Sequence, residues 1–284
     1  MTSRRLLLSL AHPDDESFGS GGVIARYVAT GAEVSLICAT NGDVGTVTPD
    51  MLNGYKSVSE LRLAELACAS AKLGFKEVVT FGYRDSGMMG SETSRHPDCL
   101  WQAPQAAVTR RVVEVIRDIK PQIVLTFNRY GGYGHPDHIA IQRATVDAFK
   151  LAGDLTYETA GQQPYQPQKL YYTRIPTLMM RLGLWLLRLR GEDPRQLGKN
   201  KDIDLIEILD HIEPAHTRVN IRDYYDAWQE ANACHASQLG GGTNQMPLWI
   251  RRRLSGAQSF TRVYPEPRYN KIDEDDLFQN VQVD

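Results

Sequence analysis

Two short motifs place histidine, proline and carboxylate residues close together in this sequence of 284 residues. The first is AHPDDE at residues 11–16, and the second is GHPDH at residues 134–138. Each motif follows a run of apolar residues that is typical of a buried strand. Two histidines and one carboxylate suit a catalytic zinc or non-haem iron that keeps a position open for water. The pair of motifs therefore predicts a metal-dependent hydrolase.

We predict that His12, Asp15 and His138 are the metal ligands, with zinc as the expected ion and iron as an alternative in the cell. His12 and Asp15 are three residues apart, and a proline turn after a strand can direct both to one point. Pro136 suits the first turn of a helix, which would carry His138 to the same point. The simpler interpretation is a pair of helix-capping turns. Two such motifs on neighbouring strands favour metal binding over capping.

The other polar residues of the two motifs suit acid–base work. Asp14, beside a predicted ligand, is the expected general base, with support of a ligand histidine as its alternative role. His135, as an imidazolium, could stabilise an oxyanion or act as an acid, or it could only cap the following helix. Asp137 could orient His135 or cap the helix, and Glu16 is expected to support the backbone or the ligands. Tyr133, in a glycine-rich segment, could bring its hydroxyl to a carbonyl oxygen.

Apolar strand-like runs and helical patterns alternate along the first 175 residues. The runs are continuously apolar, which is typical of a parallel sheet covered on both faces. We therefore predict an α/β fold: a Rossmann-like, doubly wound, mostly parallel sheet with helices on both faces and a C-terminal elaboration. The predicted strands are 5–11, 33–40, 77–81, 122–127 and 169–173, and the predicted helices are 22–30, 59–73, 104–120, 136–151, 178–190 and 220–238.

This topology supports the site independently of the motifs. In a doubly wound sheet the first and fourth strands are neighbours, and ligands bind beyond their carboxyl ends. The two motifs follow these two strands, so the fold would bring them together across more than a hundred residues. We divide the chain into a catalytic core, 1–175, and a C-terminal elaboration, 176–284, packed on the same domain.

The amino-acid composition limits the partners and the cellular location that we expect for the protein. The net charge of −2 gives no basic footprint for nucleic acid. The apolar stretch 178–190 is too short to cross a bilayer, so we expect no integral membrane segment; it suits a helix packed on the domain or on a partner in a homo-oligomer, with a membrane-surface helix as the alternative. The four scattered cysteines predict free thiols in a reducing compartment, the cytoplasm. The acidic tail residues 273–276 are expected to be solvated.

At these motifs the chain resembles the PIG-L/LmbE-like family of zinc-dependent deacetylases, which includes N-acetylglucosaminyl-inositol deacetylases and mycothiol S-conjugate amidases. The resembling segments are AHPDDE at 11–16, SELRLAEL at 59–66, YRDSGM at 83–88 and GGYGHPDH at 131–138. They span about half of the chain, from residue 5 to 150. The segment 175–203 and the tail match no family pattern, while residues 235–238, HASQ, weakly resemble a C-terminal family helix that carries a histidine near the cleft. The resemblance implies a zinc-activated water that removes an acetyl group from an N-acetylglucosamine conjugate, a small amino-sugar substrate.

The resemblance also implies substrate contacts. Arg62 and Asp85 would hold sugar hydroxyls, and Tyr133 would assist at the carbonyl. Without the family resemblance, the sequence pattern predicts that Arg62 is a solvated arginine on an amphipathic helix and that Asp85 is a turn residue. Three other functions stay open: an amidase for a larger amide such as a thiol S-conjugate, a non-haem iron oxygenase with the same ligands, and a metal-bearing sugar-binding module.

Overall fold

A single seven-stranded sheet organises the protein. The computed structural model describes residues 3–52, 54–197, 203–239 and 248–283. The strands are β1 (Arg5–Leu10), β2 (Glu33–Thr40), β3 (Glu77–Tyr83), β4 (Ile123–Thr126), β5 (Lys169–Thr173), β6 (Thr217–Asn220) and β7 (Ala257–Tyr264). Their order is β3-β2-β1-β4-β5-β7-β6, with the first five parallel and β7 antiparallel to both β5 and β6.

The centre of the sheet confirms the doubly wound prediction. Leu8 of β1 pairs with Leu36 of β2 on one side and with Leu125 of β4 on the other. All three side chains are buried, as expected for strands that are covered on both faces. The carboxyl ends of β1 and β4 therefore lie side by side, at the point where the strand order reverses.

Helices pack around this sheet in two groups. They are α1 (Asp15–Ala29), α2 (Val58–Leu73), α3 (Gln105–Ile119), α4 (Gly131–Gly134), α5 (Pro136–Leu151), α6 (Thr177–Arg190), α7 (Leu205–Asp210), α8 (Tyr225–Cys234) and α9 (Leu248–Leu254). Helix α3 packs against α5, while α8 packs against both α1 and α2. None of the described helices is long and apolar enough to cross a membrane.

Helix α2 shows how the sequence sets its own boundaries. The Ser57 hydroxyl accepts a hydrogen bond from the backbone N–H of Glu60, 3.1 Å away, and so caps the first turn. Gly74 ends the helix with a φ of 76°, a conformation that glycine adopts without the steric cost of a Cβ. This helix carries Arg62 and Glu65 toward the site described below.

Helix α1 begins at Asp15, seven residues earlier than the sequence pattern predicts. Residues 19–21, GSG, have poor helix propensity, and the predicted helix begins just after them, at Gly22. In the fold, a Cβ added to Gly21 would lie 2.4 Å from the Trp228 ring, and one added to Gly22 would lie 2.4 Å from Ile221. The glycines let α8 and its neighbours approach α1 closely, and that packing outweighs the low propensity.

The C-terminal region differs most from the sequence prediction. It adds β6 and β7 to the edge of the same sheet; the sequence favours extra strands in this elaboration but does not place them. The helix predicted over 220–238 is instead the shorter α8, preceded by β6 and a 3-10 turn. The polar segment 190–204, for which the sequence predicts a surface loop, falls partly outside the described residues. The glycines at 240–242, which the sequence predicts to break the last helix, lie wholly outside them. The division into a core and an elaboration stays a prediction.

The prediction of free thiols is wrong for two of the four cysteines. Cys68 of α2 and Cys234 of α8 form a disulfide across 166 residues of sequence. Only the packing of α8 on α2 brings them together, so sequence spacing gave no signal. Cys38 and Cys99 are free and buried, as predicted.

The prediction of a fully solvated acidic tail is wrong at Glu274, whose side chain is only 5% exposed. Its carboxylate accepts hydrogen bonds from Lys169 at 2.7 Å, Tyr171 at 2.7 Å and Thr217 at 2.6 Å. Arg262 also lies 2.8 Å away. These interactions fix the tail to β5, β6 and β7.

We expect Glu274→Gln to lower the free energy of unfolding by about 3 kcal/mol, because it leaves the buried Lys169 ammonium without its counter-charge. Denaturant unfolding measures this loss. The matched control is Asp275→Asn, an exposed neighbour that should change stability by less than about 0.5 kcal/mol. Equal stabilities for the two variants would contradict the anchoring role of Glu274.

Candidate active site

The turns that follow β1 and β4 meet at one point. After β1, the backbone N–H of His12 donates a hydrogen bond of 2.7 Å to Asp15, the first residue of α1. After β4, the short turn α4 leads into α5, where Pro136 occupies the first turn and His138 follows. Both histidines are buried. The phenyl ring of Phe127 stacks on His138 with 3.9 Å between ring centroids, which fixes the plane of the imidazole.

Donor groups of three residues form a compact triangle at this point. Nδ1 of His12 lies 3.1 Å from Nε2 of His138. Asp15 approaches through both carboxylate oxygens: Oδ1 lies 3.3 Å from His138 Nε2, and Oδ2 lies 3.5 Å from His12 Nδ1. A tetrahedral zinc with bonds of about 2.0–2.1 Å has donor–donor edges of about 3.3–3.4 Å. The triangle therefore fits a metal ion of this size.

The outer nitrogen of each histidine has an acceptor that fixes its tautomer. His12 Nε2 lies 3.1 Å from the carboxylate of Asp137, and His138 Nδ1 lies 3.1 Å from the carbonyl oxygen of Gly131. With protons on these outer nitrogens, both inner nitrogens direct lone pairs at the shared point. The Asp137 carboxylate accepts hydrogen bonds from the backbone N–H of Ser86, at 2.8 Å, and from the Ser86 hydroxyl. Asp137 thus orients His12 rather than His135. Ser86, which lies in the YRDSGM segment, was not among the predicted site residues.

The electrostatics of the cluster favour a positive charge. Burial lowers the pKa of His12, but the charge of Asp85 and the hydrogen bond to Asp137 outweigh it and hold the pKa well above its ordinary value. Burial raises the pKa of Asp15, yet the facing His138 and His12 hold it well below the ordinary carboxyl value. A bound cation satisfies the same carboxylates, so the charge of the donor set also fits a metal ion. Two further sets of donor atoms lie close together here, one from His12, His135 and His138 and one from His12, Asp85, His135 and Asp137.

Asp14 lies next to this triangle and is held by Arg62. The guanidinium donates a 2.8 Å hydrogen bond to the Asp14 carboxylate and others to the carbonyl oxygens of Pro13 and Gly42. Burial raises the pKa of Asp14 to about 7, although the charge of Arg62 opposes that rise. Arg62 is only 3% exposed, so the interpretation as a solvated arginine is wrong. A Cβ at Gly42 would lie 2.4 Å from the guanidinium, which explains why glycine occupies that turn.

His135 caps α5 and faces the cluster. Its Nδ1 accepts the backbone N–H of Asp137 at 3.2 Å, so in the neutral ring the proton is on Nε2. Burial and the charges of His12 and His138 lower the pKa of His135 well below its ordinary value. The neutral form is therefore favoured over the imidazolium that the sequence analysis predicts, and the capping role coexists with a free Nε2–H donor.

The structure also brings Tyr133 and Asp85 to the site. The Tyr133 ring lies edge-on to His138, with centroids 5.1 Å apart, on a turn whose bend is permitted by Gly132 at a φ of 72°. Asp85 accepts the backbone N–H of Gly87 at 2.8 Å and approaches His12 Nε2 at 3.5 Å. Burial is the largest influence on the pKa of both side chains. It raises the pKa of Tyr133. At Asp85 the charge of His12 and hydrogen bonds outweigh burial and lower the pKa.

A cavity of about 580 Å³ opens onto these residues. Its floor includes the donor His12 and the carboxylate of Asp14, and its lining combines polar side chains with flexible methionines. A pocket of this size suits a small polar molecule such as a sugar conjugate. The lining residues are His12, Asp14, Val44, Gly45, Thr46, Arg62, Asp85, Gly87, Met88, Met89, Gly90, Ser91, Thr93, Tyr133, His135 and Gln238.

The fold and the donor cluster together define a metal-dependent hydrolase. The family model described as "PIG-L: GlcNAc-PI de-N-acetylase" matches residues 7–149, half of the chain. This protein belongs to the PIG-L family.

Curated relatives match over nearly the whole length. A protein of Thermobispora bispora is 39% identical over 272 residues, which is 92% of this chain and 88% of the relative. A protein of Thermobifida fusca is 34% identical over 280 residues, which is 94% of this chain and 96% of the relative. Both are named 1D-myo-inositol 2-acetamido-2-deoxy-alpha-D-glucopyranoside deacetylase.

Solved structures share the fold at lower identity. N,N'-diacetylchitobiose deacetylase from Pyrococcus horikoshii matches with a TM-score of 0.62 and 18% identity, over 92% of this chain and 84% of that one. GalB, a 4-carboxy-2-hydroxymuconate hydratase from Pseudomonas putida, matches with a TM-score of 0.59 and 16% identity. The match covers 94% of this chain and 98% of that one. The fold is thus shared by enzymes of different reactions, and the site must decide the chemistry.

Proposed function

We propose that this protein is a zinc-dependent deacetylase that hydrolyses the acetamide of a 1D-myo-inositol 2-acetamido-2-deoxy-glucopyranoside. The observation that carries the proposal is the donor triangle of His12, Asp15 and His138 beside the carboxylate of Asp14, with His12 and Asp14 lining one cavity. The named relatives supply the substrate class.

The reaction divides between the metal and the chain. Bound by His12, Asp15 and His138, zinc would lower the pKa of a water molecule and polarise the acetamide carbonyl. Asp14 takes a proton as the water oxygen bonds to the carbonyl carbon, and it returns that proton to the nitrogen as the C–N bond breaks. The products are acetate and the free amine.

His135 and Tyr133 act on the oxygen where negative charge develops. Neutral His135 donates through Nε2–H, because its Nδ1 is already occupied as an acceptor. The raised pKa of Tyr133 keeps its hydroxyl protonated, so it too can donate. Asp85 and Arg62, at the edge of the same cavity, would meet the sugar hydroxyls, and Arg62 also holds Asp14. Glu16 and Asp137 support the backbone of Asp14 and the ring of His12.

Amine release from a panel of N-acetylglucosamine conjugates tests this function. The panel includes the inositol glycoside and a thiol S-conjugate with a larger amide, each with zinc-loaded and iron-loaded protein. We expect acetate and amine in equal amounts from the inositol glycoside. Release of the larger acyl product alone would instead favour the amidase, and no release from any member would overturn the proposal.

The acid limb of the pH profile should report Asp14. A general base works in its ionised form, and the pKa of Asp14 is about 7. The kcat/KM of the enzyme should therefore rise as pH increases through about 7, and it should fall about tenfold for each pH unit below that value. His135 stays neutral over this range and adds no limb there. Steady-state rates from mildly acid to alkaline pH provide the measurement.

Arg62→Gln supplies the control for this assignment. The charge of Arg62 opposes the rise in the pKa of Asp14, so removing that charge should move the acid limb to higher pH. A limb that stays in place in the variant would show that another group titrates.

We also propose a cytoplasmic location, on the grounds that Cys38 and Cys99 are free and buried. The Cys68–Cys234 disulfide opposes it, because disulfides are rare in that compartment. The location therefore requires that Cys68 and Cys234 are alkylated as thiols in rapidly quenched cells. Recovery of the disulfide from such cells would contradict it.

A further inference from the structure

A buried pair of a histidine and a glutamate lies behind the site, away from the surface that faces the substrate. His235 follows α8, and its Nε2 lies 2.7 Å from a carboxylate oxygen, Oε1, of Glu16. Both side chains are completely buried. Glu16 lies in the first turn of α1, so this contact joins residues that are 219 positions apart.

The other oxygen of Glu16 holds the backbone of Asp14. Oε2 accepts the Asp14 N–H at 3.0 Å. Asp14 has a φ of 127° and a ψ of −27°, a backbone conformation that costs a non-glycine residue free energy and persists only where surrounding groups impose it. The Asp14 side chain makes no capping bond to α1, because it is directed at Arg62 instead. The carboxylate of Glu16 therefore holds the backbone of this turn from within the helix.

The end of α8 is itself fixed to α2. The carboxylate of Glu65 accepts the Ser237 N–H at 2.8 Å and the Ser237 hydroxyl at 2.7 Å, and the Cys68–Cys234 bridge joins the same two helices. The Asp14 carboxylate is held by Arg62, also on α2. Backbone and side chain of Asp14 are thus both positioned with reference to the α2–α8 pair.

We propose that His235 is a positioning residue for the general base. By fixing Glu16 it maintains the backbone conformation of Asp14, and so the direction of the carboxylate toward the reaction centre. This role rests on the proposed function, in which Asp14 moves the protons. Since Asp15 has its own bond to the His12 N–H, loss of His235 should leave the donor triangle in place.

The test compares His235→Leu, which removes the donor, with His235→Gln, whose amide nitrogen can reach the position of Nε2. For His235→Leu we expect kcat to fall about 10–100-fold, as misplacement of a catalytic group does, with KM and bound zinc unchanged. His235→Gln should recover most of that loss. The control is His216→Leu at a buried histidine on the far edge of the sheet, which should cost stability but leave kcat unchanged.

A second readout does not depend on turnover. Amide hydrogen exchange of the peptide spanning residues 11–18 should be faster in His235→Leu than in His235→Gln or the unchanged protein. If His235→Leu does not fold, His235→Asn, whose amide is too short to reach Glu16, replaces it in both measurements. Unchanged exchange and unchanged kcat would overturn the positioning role while leaving the deacetylase intact. Faster exchange in a protein that releases no amine from any substrate would instead place the failure in the proposed function.

Discussion

Asp14→Asn should lower kcat by about 10²–10⁴-fold while zinc content stays at the level of the unchanged protein. General acid–base catalysis contributes rate factors of this size, and an amide cannot take the proton. The amide oxygen can still accept the hydrogen bond from Arg62, so the buried guanidinium keeps a partner and the fold is preserved. Amine release and metal analysis on the same samples provide the measurement.

Asp43→Asn is the matched control for that experiment. Asp43 is a carboxylate near the same cavity that accepts the backbone N–H of Asp85 at 2.8 Å, a bond that an asparagine oxygen can keep. Its rate should stay within a few-fold of the unchanged protein. Undiminished turnover in Asp14→Asn would remove the general base from the mechanism. Sugar binding that is equal in the two proteins, with no turnover in either, would favour a metal-bearing sugar-binding module.

The sheet and the ligand set were accessible to sequence reasoning because both follow from strong local patterns. Continuous apolar runs at 5–11 and 122–127 identify central strands, and doubly wound topology makes those two strands neighbours. Once they are adjacent, the residues just after them must meet. The observed pairing of Leu8 with Leu125 confirms that step, and the 3.1 Å separation of the His12 and His138 nitrogens is its consequence.

The partners that tune the site were not accessible, because they depend on contacts between distant segments. Arg62 sits on a helix whose sequence pattern fits a solvated face, and only packing of α2 against the first turn of α1 brings it to Asp14. Ser86 reaches Asp137 across 51 residues, and no spacing rule joins them. Strands β6 and β7 mix polar with apolar residues, and β6 has only four residues, so the periodicity of both is weak.

The helix start at Asp15 shows the same limit for a single element. Local propensity opposes helix over residues 19–22, while the close approach of Trp228 and Ile221 favours glycine there. This difference matters for function, since an earlier helix start places Asp14 at the N-cap and Asp15 in the first turn. The unusual backbone of Asp14 is a tertiary property, held by Glu16 from within α1 and by His235 from α8.

Removal of the metal should abolish amine release, and His138→Gln should do the same by lowering zinc affinity. His138 contributes one corner of the donor triangle, 3.1 Å from His12 Nδ1 and 3.3 Å from the Asp15 carboxylate. Without His138, only His12 and Asp15 remain of the three donors, and the closed set is lost. Zinc at about 100 times its dissociation constant should stabilise the intact protein by about 2.7 kcal/mol, and this gain should vanish in His138→Gln. Thermal unfolding with and without zinc measures it.

His96→Gln is the control, because this histidine lies on the surface away from the donor triangle and should keep both the zinc-dependent stabilisation and the activity. Reloading the metal-free protein with zinc or with iron should restore hydrolysis, since either cation can polarise the carbonyl. Oxygen uptake by the iron-loaded protein, together with no amine release, would favour the oxygenase. Amine release that survives complete metal removal would mean that the triangle of His12, Asp15 and His138 serves structure alone.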